Sequence, residues 1–232
     1  MAQQKQIAAF FDFDGTLFSG HFWQGLADYH FKHNLKKASV YVFLVTHLFM
    51  SFVYVLASKL KIIRPEAHKI KWGEDMGFFL KGLSAEEVEK MYEWMMRDYF
   101  MPRAKPETAK ILKEHIEKGH IVVIVSGSYR NFLELIGKEL GVKYAIGTEV
   151  ELKDGVYTGR IIKPLCFGKQ KAIAIGGFIE REKLDIDLEN SYAYADNISD
   201  LPMLEMVGNP AAAFPDKKLL KVARKRGWLV VG

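Results

Sequence analysis

The segment IAAFFDFDGT, residues 7–16, sets the reading of everything that follows. Five apolar residues lead into two carboxylates two positions apart, Asp12 and Asp14, and then into Gly15 and Thr16. A short apolar run that ends in turn-forming residues predicts a buried strand opening into a polar loop. Where the strand gives way to the loop, both carboxylates can turn toward one site. One can attack phosphorus while the other protonates a leaving oxygen, the two roles that cleavage of a phosphate monoester needs. Gly15 permits a tight turn and Thr16 adds a hydroxyl. A lone pair of aspartates is common in surface loops. Its weight here comes from the strand before it and the partners after it.

Downstream the same arrangement recurs. Residues 106–118 have a helical pattern with Pro106 at its start, and Gly119 stops it. The run HIVVIV, 120–125, predicts a second buried strand, ending in Ser126-Gly127-Ser128. Residues 129–140 predict a helix, and 143–147 a further strand. A hairpin is expected over 148–162 around Asp154-Gly155, and a helix over about 168–180. The strand SYAYA, 191–195, ends in Asp196, and a helix begins near Leu201. Alternation of this kind predicts an α/β fold: a Rossmann-like parallel sheet with helices on both faces. Sites in such sheets form at the carboxyl ends of the strands. Three expected strand ends carry the polar residues just quoted, which points to one site.

Residues 18–105 interrupt the alternation. They are aromatic-rich and mostly helical in pattern, which predicts an inserted helical cap. The expected division is a core of 1–17 and 106–232 and a cap of 18–105. Phe22, Trp23, Trp72, Phe78, Phe79, Trp94 and Phe100 are expected mainly in the cap core. Within the cap, residues 38–58 contain no Asp, Glu, Lys or Arg and are flanked by Lys36, Lys37, Lys59 and Lys61. About 20 apolar residues can span a bilayer. Thr46, His47 and Ser51 interrupt this stretch, and its aromatics sit mid-segment. The first reading is a buried or partly exposed cap helix. Contact with a membrane surface or a lipid-like substrate comes second, and a membrane span third.

Composition bounds the rest. At 232 residues, 49% apolar and 26% charged, the chain can bury a full core. One cysteine, Cys166, excludes an internal disulfide framework and a cysteine-based zinc site. The first residues lack a signal-peptide pattern, so a cytoplasmic protein is expected, with membrane association left open by 38–58. The net charge of +5 favours anionic partners such as phosphate esters and anionic lipids. The basic residues from Lys217 to Arg226 have helical spacing and read as a solvated helix face. No motif for nucleic-acid binding accompanies them. His30 and His33 lack the partners that would complete a metal site and read as structural.

The remaining candidates complete a site. Ser126 and the Gly127 N–H suit phosphate oxygens. Lys169, near a helix start, would neutralise phosphate charge. Asp196 with Asp12 would offer hard oxygens to Mg2+. Asp200 would orient the loop, pair with Lys169, or cap the following helix.

In order, DFDGT, Ser126-Gly127-Ser128, Lys169 and ADNISD resemble the four motifs of the haloacid dehalogenase-like hydrolases. The resemblance covers roughly 7–16 and 106–214. A cap between the first two motifs is similar to the phosphoserine phosphatase-like branch. The resemblance implies Asp12 as nucleophile and Asp14 as general acid and then base. It implies Mg2+ held by Asp12, Asp196 and the Asp14 carbonyl. Ser126 and Gly127 would hold the phosphoryl group, with Thr16 beside them and Lys169 balancing charge. Asn197 and Ser199 would support the loop, along with Asp200. Asp14 and Thr16 favour phosphatase over dehalogenase chemistry.

Two positions depart from the branch pattern. His21 stands where phosphoserine phosphatases carry a glutamate that reads the substrate amino group. This turns the expectation away from phosphoserine and makes His21 a candidate substrate contact. Ser199 replaces an asparagine of the last motif but keeps a hydrogen-bonding side chain. The expected function is therefore a Mg2+-dependent phosphomonoester hydrolase for a small or lipid-like phosphorylated substrate. The alternatives are a phosphotransferase or phosphonate hydrolase using the same aspartate, and a membrane-docking or binding protein on the same scaffold with little catalysis.

Overall fold

The computed structural model describes residues 5–60 and 67–232. In chain order the elements are β1 (Ala8–Phe11), α1 (Phe22–Lys32), α2 (Lys37–Lys59), α3 (Ala67–Asp75) and α4 (Ala85–Trp94). Then come α5 (Pro106–Glu117), β2 (Ile121–Tyr129), α6 (Arg130–Leu140), and the hairpin of β3 (Tyr144–Lys153) and β4 (Val156–Ile162). The chain continues with α7 (Lys169–Arg181), β5 (Tyr192–Ala195), α8 (Leu201–Leu204), β6 (Asn209–Ala213), α9 (Lys217–Arg226) and β7 (Leu229–Val231).

The chain divides into two units. The first comprises Met1–His21, Met96–Thr148 and Cys166–Gly232, the second Phe22–Met95 and Glu149–Leu165. In the first, six strands pair in parallel in the order β3-β2-β1-β5-β6-β7. All four β1 residues are fully buried, as a continuous apolar run in a central parallel strand must be. Ala8 and Phe10 join Val123, Val125 and Ala193 in a core closed by Ile175 and Phe178 of α7 and Leu219 of α9. Phe11 meets the other layer: it stacks on Tyr194 at 4.5 Å and touches the His115 ring of α5 edge-on. The result is the expected α/β fold with helices on both faces.

β1 lies between β2 and β5, so the crossovers leave it in opposite directions. The carboxyl ends of these three strands open onto one crevice at that switch point, where such folds place their ligands.

In the second unit α1 to α4 pack around aromatic pairs. Trp23 meets Trp72 at 5.4 Å, Tyr29 meets Trp94 at 5.5 Å, and Phe43 stacks on Phe78 at 5.0 Å. Ser84 opens α4 with a reciprocal cap: Glu87 N–H donates to its hydroxyl, while its own N–H donates to the Glu87 carboxylate.

Several expectations need correction. The hairpin was assigned to the core, yet Glu149–Leu165 groups with the helical unit. Backbone hydrogen bonds from Gly82 to Tyr157 and from Tyr157 to Leu83 tie β4 to the segment before α4. The segment from Met96 groups with the sheet unit although it was expected in the cap. Phe100 accordingly packs on Phe13, Phe18 and Phe132 there, not in the cap core. Ser126-Gly127-Ser128 lies within β2, which continues to Tyr129 past an irregularity in its pairing with β3. Strands β6 and β7 were not foreseen. The hairpin turn at Asp154-Gly155 is as expected, both residues having the positive φ that a two-residue turn requires.

Candidate active site

Asp12 follows β1, and its N–H still donates to the Tyr194 carbonyl of β5 at 2.9 Å. The backbone at the strand end is therefore fixed, and Asp12 is only 4% exposed. Thr16 is fully buried and its hydroxyl donates to Asp12 Oδ2 at 3.3 Å. Its carbonyl accepts from the Thr108 hydroxyl of α5 at 2.7 Å. Thr16 was expected to touch substrate; a buried hydroxyl directed at Asp12 instead steadies that carboxylate.

The lysine expectation is corrected by two positions. Lys169 is exposed, whereas Lys171 is buried, with Nζ 2.6 Å from Asp12 Oδ1 and 2.9 Å from Asp200 Oδ1. Burial alone would lower the pKa of Lys171. The carboxylates of Asp12 and Asp200 outweigh it and hold the pKa above the usual lysine value. Asp200 thus pairs with Lys171, not Lys169.

Asp196 closes the group from the end of β5. Carboxylate oxygens of Asp12, Asp196 and Asp200 lie within 4.8 Å of one another. Burial first, then the charges of Asp12 and Asp200, push the Asp196 carboxyl well above the usual carboxylate range. An excess of negative charge among hard oxygens in a desolvated crevice fits a divalent cation such as Mg2+. Gly15 explains the tightness of the approach. Its φ is +79°, and a Cβ there would lie 2.2 Å from Asp196 Oδ2.

The loop after β5 is held from several sides. Asn197 Oδ1 accepts from the Ser199 N–H at 3.1 Å and from its hydroxyl at 2.9 Å. Asp216, which sequence reasoning did not single out, donates its N–H to the Asp196 carbonyl at 2.7 Å. Its carboxylate accepts from the Ile198 N–H at 3.1 Å while capping α9. Lys105, also missed, donates to the Gly15 carbonyl. Burial lowers the Lys105 pKa, and Asp196 opposes that shift.

At the end of β2 the Ser126 hydroxyl is buried and accepts from the Ser128 N–H at 3.1 Å. It donates to the Ser128 hydroxyl at 3.2 Å, which in turn donates to Asp14 Oδ2 at 3.4 Å. Ser128 therefore links the second strand end to Asp14, a role its place in a small polar turn did not announce. Thr148 fixes the Gly127 carbonyl at 2.8 Å. His21 is exposed at the end of the first stretch of the sheet unit. Cys166 is buried, and its thiol pKa is pushed up to about 12 by burial, as suits a structural residue.

Residues 9–205 match the family description haloacid dehalogenase-like hydrolase. The chain is 30% identical over 226 residues to a phosphoserine phosphatase of Mycobacterium tuberculosis, across 95% of this chain and 69% of the relative. The chain belongs to the haloacid dehalogenase-like hydrolases. Its fold is similar to that of two solved structures. A protein with unknown function from Bordetella pertussis Tohama I is 24% identical, with a TM-score of 0.81 and 99% of each chain covered. A phospho-aspartyl intermediate analogue of phosphoserine phosphatase is 20% identical, with a TM-score of 0.63, covering 98% of this chain and 94% of the other. The phosphoserine phosphatase-like branch expected from the motifs agrees with the two comparisons that carry the phosphoserine phosphatase name, and the chain is a hydrolase of phosphatase type.

Proposed function

We propose that this hydrolase is a Mg2+-dependent phosphomonoesterase that forms an aspartyl-phosphate on Asp12. The observation that carries this reading is the buried Asp12 carboxylate, clasped by Lys171 and bordered by Asp196 and Asp200. An Asp12 oxygen attacks phosphorus, the ester P–O bond breaks, and the departing oxygen takes a proton from Asp14. Water then gives a proton to Asp14 and attacks phosphorus, releasing inorganic phosphate and restoring Asp12. Ser126 and the Gly127 N–H receive phosphoryl oxygens, and Lys171 balances the charge that builds up there. Ser128 orients Asp14 for both proton transfers. Asp12, Asp196 and the Asp14 carbonyl would hold Mg2+, with Asp200 close by. When bound, the ion neutralises phosphate charge.

The substrate is a small or lipid-like phosphate monoester, and His21 is proposed to meet its polar end. A panel of monoesters tests this, with phosphate release measured in Mg2+ and in chelator. The reading predicts turnover that chelator abolishes. Chelator-resistant turnover would contradict it, and equal or better turnover of small polar esters would remove the lipid-like class.

A further inference from the structure

Helix α2 is long and apolar enough to cross a membrane by length and composition. At 1.5 Å per residue its 23 residues extend about 35 Å. One stripe fastens it to its own unit. Val40, Phe43 and His47 are buried, and Phe43 packs on Phe78 and Phe79. His47 Nε2 meets Asp75 Oδ2 at 3.1 Å, and the Ser51 hydroxyl meets His68 Nε2 at 2.7 Å. These polar contacts fix the stripe in protein, so the helix is not free to be surrounded by lipid. The rest of its circumference faces outward and is apolar: Leu48 is 73% exposed, Phe52 70% and Phe49 69%. Monomeric proteins rarely leave so long an apolar surface bare.

Charge says what covers it. Lys36 and Lys37 stand at one end and Lys59 at the other, and no Asp or Glu lies in the helix. An open cleft of about 580 Å³ in the same unit shares Phe43, His47 and Phe78 with the apolar groove along α2. Lys71, Lys81, Arg160 and Lys163 line this cleft against two carboxylates. Lys71 pairs with Asp75, and Lys163 with Glu74 at 2.8 Å. Lys81 and Arg160 make no ion pair among the described residues. An apolar ridge bounded by lysines and continuous with a cationic cleft matches the acyl layer and headgroup layer of an anionic bilayer.

We propose that the second unit docks on an anionic lipid bilayer, with the outward face of α2 seated among the acyl chains. In this arrangement Lys81 and Arg160 receive lipid phosphate groups. The helix lies in the interface without spanning it. The inference goes beyond the phosphatase reading and does not depend on it.

Co-sedimentation of the full chain tests it. The vesicles are phosphatidylcholine alone, or equal parts phosphatidylcholine and phosphatidylglycerol. Wild type should pellet with the anionic vesicles, and added salt should weaken the binding. Phe52→Glu should lower partitioning by about tenfold or more, since it trades a buried ring for a charge. Leu48→Glu should do the same, and a melting curve on each confirms the fold. Lys81→Glu with Arg160→Glu should erase the preference for anionic vesicles. Asp12→Asn should pellet like wild type, which separates this result from any failure of catalysis. Wild type left in the supernatant with both vesicles would overturn the proposal. So would a soluble dimer that Phe52→Glu splits while neither form binds vesicles, because a second copy would then cover the ridge.

Discussion

Lys171 and Lys169 sit in the same helix start, and only Lys171 reaches Asp12. Two positions amount to about 200° of helical rotation, so the two side chains leave opposite sides of α7. Lys171→Ala should lower phosphate release by about a hundredfold or more, whereas Lys169→Ala should stay within about twofold of wild type. The first variant should also unfold more easily by about 3–5 kcal/mol, because it leaves buried carboxylates without their cation. Steady-state rates and denaturant titrations of both variants check this. The sequence could not choose between them because both are lysines at a helix N-terminus and the phase of α7 is set by packing. The carboxylates were readable for the opposite reason: Asp12 and Asp196 follow apolar runs whose ends are fixed by chain direction. Ser128, Lys105 and Asp216 gain their roles only through hydrogen bonds to distant segments, which local sequence does not display.

At the scale of elements, α5 carries a pH-sensitive contact. His115 is buried between Tyr194 and His120, and burial, assisted by His120 and Lys118, lowers its pKa to about 4. The unfolded chain takes up this proton near pH 6.5, while the folded chain does not until about pH 4. Stability from this group is therefore complete above pH 6.5 and declines as the pH falls toward 4. The loss is at most about 3 kcal/mol. Melting temperatures measured at pH 7 and pH 5 should fall less for His115→Gln than for wild type. An equal fall in both would exclude His115 as the source. The apolar runs of β1 and β2 and the Asp154-Gly155 turn were legible because each has a strong local signal. Strand β6 was not, since Asn209-Pro210 followed by three alanines has low strand propensity and owes its place to β5. The hairpin's membership of the second unit was equally hidden, because the partners of β4 at residues 82–85 lie far away in sequence.

For the whole molecule, three converging carboxylates and one principal lysine leave net negative charge in a crevice of a chain whose net charge is +5. Bound Mg2+ should relieve that repulsion and stabilise the fold, by about 2.7 kcal/mol at a hundred times its dissociation constant. For a chain of this size the melting temperature should rise about 2–4 °C for each kcal/mol. The rise should be lost in Asp196→Asn. A rise unchanged in that variant would place the ion elsewhere. The alternation of strands and helices revealed the α/β class because it repeats along the chain. The exposure of α2 was harder to read, since an apolar run looks the same whether it is buried or bare.

The most direct measurement compares Mg2+-dependent phosphate release from an aryl phosphate by wild type and by Asp12→Asn. The substitution removes the nucleophilic charge and keeps the side-chain shape. Turnover that requires Mg2+ in wild type and vanishes in the variant is the predicted result. Turnover that survives in Asp12→Asn would contradict the account.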